Sequence, residues 1–170
     1  MIIQATTYLT ALRQRIEQEF ADRNATYQQT KSAGNLQLLA CGDSWFDYPL
    51  NGPLFAAPTD VLAQLPTAMG GGVDILSLAH YGYTSTRELG LAKQQQLENA
   101  IRGNGAFNAI LLSAGGNDVV GDSLVVWLND ADDVRHQPAL ALNEGRFEAV
   151  LACVKASYLD LIALRDDILP

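Results

Sequence analysis

At 170 residues, with 48% apolar and 18% charged side chains, the chain has the size and make-up of one soluble globular domain spanning 1–170, long enough to bury a sizeable core. Its 19 acids against 11 bases leave a net charge of −8, which argues against a nucleic-acid partner, because neutralising phosphates needs a basic stripe and the sequence has none. No apolar stretch approaches the ~20 residues of a membrane span. The N-terminus lacks the basic start, apolar block and cleavage site of a secretory signal, so a cytoplasmic location is expected.

Residues 2–24 place Ile3, Tyr8, Leu12, Ile16 and Phe20 at helical spacing and read as an amphipathic helix. The polar, small-residue stretch 24–35 reads as a loop. From 36 to 170 lies the body of the domain. Three short apolar runs, LQLLAC (36–41), VDILSL (73–78) and NAILLSA (108–114), suit strands buried on both faces of a parallel sheet. Between them, 59–66 reads as a short helix. Residues 85–105 read as a longer helix, with Ser85 and Glu88 in capping-box spacing and glycines at its end. Residues 144–169 form a long amphipathic helical pattern. Two cysteines make no disulfide framework; Cys41 and Cys153 both read as small buried hydrophobes.

Helix and strand alternate with strand starts about 35 residues apart, the rhythm of βαβ units. Three strands make a small sheet with open edges, a liability unless another segment covers them. A C-terminal segment or a second chain that completes the sheet is therefore an expected partner.

In open parallel sheets, ligands bind beyond the carboxyl ends of the strands. Three polar, glycine-bearing stretches follow the three runs: GDSW (42–45), AHYGYTST (79–86) and GGND (115–118). They fall on one edge of the sheet, so Ser44, Gly82 and Asn117 converge. A serine at a sharp strand-to-loop turn can present its hydroxyl as a nucleophile. The main-chain N–H groups of Ser44 and Gly82 and the carboxamide of Asn117 would supply three donors to a developing oxyanion. Taken alone, Asp43-Ser44 reads first as a turn or cap pair, and Gly115, Gly116, Asn117 and Asp118 as ordinary turn residues. It is the convergence of the three loops that favours chemistry.

GDSW, the isolated Gly82 and GGND, in that order and spacing over residues 36 to about 120, resemble the first three sequence blocks of the SGNH, or GDSL-type, esterase and lipase superfamily. The resemblance implies a flavodoxin-like three-layer α/β/α sandwich around a parallel sheet, incomplete at the C-terminus in this chain. It implies a serine hydrolase acting on a small-molecule ester, with Ser44 as nucleophile and Ser44, Gly82 and Asn117 as the oxyanion hole. Asp43 and Asp118 would brace the loops, and Asp43, Trp45, His80 and Asp118 would line the pocket. No metal or cofactor is called for.

The family's general base lies on a later Asp-x-x-His block after the final strand, and that block is not found in its place. Asp133 and His136 hold the letters of the motif, but they stand shortly after the third strand, before the long helix. His136 is thus a candidate base with Asp133 as its partner, and His80 is a pocket residue. Without a base a serine hydroxyl is a poor nucleophile, so this segment alone is expected to turn over esters weakly. The rival reading is a non-catalytic binding module that keeps sheet and pocket but not the base. A nucleotide-type binder of flavodoxin shape is disfavoured, because no phosphate-loop pattern follows the first strand.

Overall fold

A computed structural model describes residues 2–48, 60–88, 90–120, 123–135 and 137–168. The elements run α1 (Ile2–Thr30), β1 (Leu36–Gly42), α2 (Val61–Ala68), β2 (Val73–Ser77), α3 (Ser85–Glu88), α4 (Leu91–Asn104), β3 (Ala109–Ser113), three short helices α5 (Gly116–Val119), α6 (Leu124–Trp127) and α7 (Ala131–Val134), a 3-10 turn (Pro138–Leu140), and α8 (Glu144–Ile168).

The three strands form one parallel sheet in the order β2-β1-β3, and with its helices the chain is an α/β protein. The central strand explains the oily run. Leu38, Leu39, Ala40 and Cys41 are all buried, because β1 has a neighbour on each side and apolar cover on each face. Leu39 sits level with Leu76 of β2 and Ile110 of β3. Around Leu39 and Cys41 close Phe20 and Tyr27 of α1, Leu97 and Ile101 of α4, and Leu161 of α8. Each such side chain contributes about 1.5–3 kcal/mol by leaving water. On α8 the buried positions Val150, Ser157 and Leu161 make one stripe, at spacings of seven and four.

Four sequence expectations are corrected. The first helix does not stop at residue 24 but runs to Thr30, so most of the expected loop 24–35 is helical. Its added turns are held by distant partners: Tyr27 stacks on Phe107 with ring centres 5.8 Å apart, and Asn24 accepts from the Asn104 amide at 2.9 Å. The expected helix 85–105 is two helices, parted at Gly90. Ser85 does not act there as a cap acceptor; it is fully buried and its hydroxyl donates to Asp118. Cys153 is exposed on α8, whereas Cys41 is buried. The helical turn α7 is started by Asp130, whose carboxylate accepts the Asp132 N–H at 2.8 Å.

Among the described residues no helix is long and apolar enough to cross a membrane.

Candidate active site

Because the strands are parallel, the chain leaves all three at the same edge, after Gly42, Ser77 and Ser113. Gly42 is there for close approach: a Cβ at this position would lie 2.4 Å from the Ser113 carbonyl oxygen. Asp43 follows, 2% exposed. Its N–H donates to the Ser113 carbonyl at 3.1 Å, and its Oδ1 accepts the Ser113 hydroxyl at 2.8 Å and the Trp45 N–H at 3.1 Å. The Asp43 carbonyl accepts the N–H groups of Phe46 and Asp47 at 3.0 and 3.1 Å. A single helical turn thus begins at the end of β1, with Ser44 as its first residue. Ser44 is half-buried, and neither its N–H nor its hydroxyl has a hydrogen-bond partner among the described residues.

The second loop is carried on past β2 by the Leu78 and His80 N–H groups, which donate to the carbonyls of Ala40 and Gly42 at 2.7 and 2.9 Å. Two residues later Gly82 takes φ 75°, a left-handed conformation that side chains disfavour. It is exposed, and its N–H has no protein partner among the described residues. The third loop crosses to the second. Asn117 donates from Nδ2 to the Tyr83 carbonyl at 2.8 Å. A carboxamide has two N–H donors, so this bond fixes the group and leaves the other N–H to point elsewhere. Asp118, 8% exposed, accepts both the Ser85 N–H and the Ser85 hydroxyl at 2.7 Å. Asp43 therefore ties the first loop to the third, and Asp118 ties the third to the second.

His80 lies flat between Tyr81 and Tyr83, with ring centres 4.6 and 4.9 Å away. Its Nδ1 is 2.8 Å from the Tyr81 carbonyl, so Nδ1 carries the proton and Nε2 the lone pair in the neutral ring. Trp45 is exposed beside the Ser44 turn, its indole Nε1 4.0 Å from where a Cβ on Gly116 would lie. Asp133 is exposed on α7. His136 lies outside the described residues. No group of three or more His, Cys, Asp or Glu side chains that could hold a metal ion occurs among the described residues.

A groove of about 590 Å³ lies between α1 and the second loop. His80 and Gly82 form part of its wall, and Ser44, Asp43, Trp45, Asn117 and Asp118 are not among its described lining residues. Its α1 side, including Tyr8 and Arg15, was invisible to motif reading, because those residues meet the loop only through the tertiary packing of α1.

No family model matches the chain, and neither a curated protein nor a solved structure is found similar to it.

Proposed function

We propose that this domain is a serine hydrolase of the SGNH type acting on a small-molecule ester, with a flavodoxin-like layering of helices about the sheet. The observation that carries the reading is the state of the donors at the carboxyl edge. The Ser44 hydroxyl and N–H and the Gly82 N–H are without protein partners among the described residues, on loops otherwise tightly cross-bonded to the one that bears Asn117. An acyl-transfer site keeps such donors for its substrate. The strand order supports the layering, since 2-1-3 is how the flavodoxin-like order 2-1-3-4-5 begins.

In this reading the Ser44 oxygen bonds to the ester carbonyl carbon, and the carbonyl electron pair moves onto oxygen under the three donors. The pair returns as the alkoxide leaves, the serine proton passes through a base to that alcohol, and water then releases the acid from the acyl-serine. Asp133 and His136 hold the Asp-x-x-His spacing for the proton transfer.

A fluorophosphonate probe, which labels only an activated serine, tests the assignment. Labelling of the wild type, abolished in Ser44→Ala and reduced at least about tenfold in Asn117→Ala, is the expected pattern. Labelling that persists in Ser44→Ala would overturn it. A fully folded chain that never labels would instead favour the binding module. His136→Ala belongs in the same series, and loss of labelling there assigns the base.

A further inference from the structure

The groove between α1 and the second loop has an electrostatic character opposite to that of the whole molecule. The chain carries a net −8, yet four of its eleven cationic side chains, Arg13, Arg15, Arg87 and Lys93, line this one groove. Glu17 is the only acid among the described lining residues. Arg13 is neutralised by Glu17 at 2.9 Å. Arg15 and Arg87 are exposed, and no described carboxylate stands within ion-pair distance of either.

Lys93 lies beneath the groove. It is 5% exposed, its ammonium donates to the Leu78 carbonyl, and it lies over the rings of Phe20 and Tyr83 at 4.5 and 5.2 Å. The lining includes four aromatic rings: Tyr8 on the α1 side, and His80, Tyr81 and Tyr83 on the loop. Arg87 already rests on the Tyr83 face, 5.4 Å from its centre. A volume of about 590 Å³ lies in the range of small-ligand pockets.

We propose that this groove is a binding site for a small anionic amphiphile, one with a planar or apolar body and a carboxylate-type head. The aromatic walls take the body, and Arg15 and Arg87 take the head, where a planar guanidinium offers paired donors to a carboxylate. The global charge repels such a ligand at long range, but within a Debye length of about 8 Å in physiological salt the local cations dominate. The inference stands apart from the hydrolytic reading, since it needs the groove and its cations but not Ser44.

The test compares 2-naphthoate with its neutral isostere 2-naphthamide, titrated into the full chain and followed by the probe's fluorescence anisotropy. Naphthoate should bind at least about tenfold more tightly, and in Arg15→Gln/Arg87→Gln the two affinities should converge to within about twofold. The charge-preserving Arg15→Lys/Arg87→Lys should keep most of the preference, and the remote Arg102→Gln all of it. Both arginines are exposed, so an unchanged melting temperature confirms that the variants fold. Equal affinity for the two probes, or a preference indifferent to the Arg15/Arg87 changes, would overturn the proposal. Neither outcome bears on serine labelling, so the two readings fail separately.

Discussion

Asp74, near the start of β2, accepts three hydrogen bonds: from the Ser32 N–H at 2.7 Å, from Gln37 Nε2 at 2.9 Å and from Asn35 Nδ2 at 3.1 Å. The Ser32 N–H foremost, then the Gln37 amide, hold its carboxyl below the usual carboxylate range; burial opposes them, and the Asn35 amide adds the least. The sign of the linkage follows. A carboxyl whose folded pKa lies below its unfolded value of about 3.9 stabilises the fold fully above that value, and loses the contribution as pH falls through the lowered one. Asp74→Asn has no such proton to bind. The wild type should therefore lose more of its urea midpoint between pH 6 and pH 3 than Asp74→Asn does, with the variant the less stable at neutral pH. Two midpoint curves that run parallel through the acid range would show that Asp74 is not the group responsible. Close by, burial first and the Asp74 charge second raise the Tyr27 phenol above its ordinary value.

At the level of elements, Tyr27 shows why α1 is longer than its sequence pattern. Residues 24–30 read Asn-Ala-Thr-Tyr-Gln-Gln-Thr, with little apolar periodicity and several weak helix formers, so local preference gives no reason for helix. What holds them is remote: Tyr27 is 4% exposed, its hydroxyl donates to Gln37 Oε1 at 2.6 Å, and Lys31 donates to the Asn104 carbonyl at 3.0 Å. Tyr27→Ala should cost about 3–5 kcal/mol of unfolding free energy, the usual loss for a buried ring. Tyr27→Phe should cost about 1 kcal/mol, a single hydrogen bond. Urea denaturation of both variants checks the pair, and a cost below about 0.5 kcal/mol for the alanine would mean that these turns are not anchored by the ring. The strands were readable for the converse reason. LQLLAC, VDILSL and NAILLSA announce themselves because burial on two faces needs unbroken apolar residues, and their observed ends differ from the runs by one residue or so. The break at Gly90 was not readable, since a single glycine inside a helical pattern is tolerated as often as it ends a helix.

For the molecule as a whole, topology decided what the sequence could reveal. Parallel strands deliver their following loops to one edge, so GDSW, Gly82 and GGND could be assembled on paper; the groove could not, because one of its walls is α1 and the other lies some 70 residues later. The same topology ranks the strands in stability. β1 pairs along Leu36–Ala40 with β2 and along Leu38–Gly42 with β3, and its middle is buried. β3 pairs with β1 alone among the described residues, and Ile110–Ser113 are only half-buried. A strand paired on one side opens locally without unfolding the rest, whereas β1 can lose its bonds only when the sheet comes apart. Native-state hydrogen exchange should therefore find the slowest amides in 38–42, exchanging through global unfolding. A peptide covering 109–113 should contain amides at least about a hundredfold faster, those that face away from β1. The measurement also weighs the expected partner at this edge. A strand laid along β3 would raise 109–113 to the protection of β1, and if the strand came from a second copy the rise would depend on protein concentration. Uniform slow exchange across both peptides at every dilution would mean that β3 is not an edge at all, and the order β2-β1-β3 would have to gain a fourth strand within the chain.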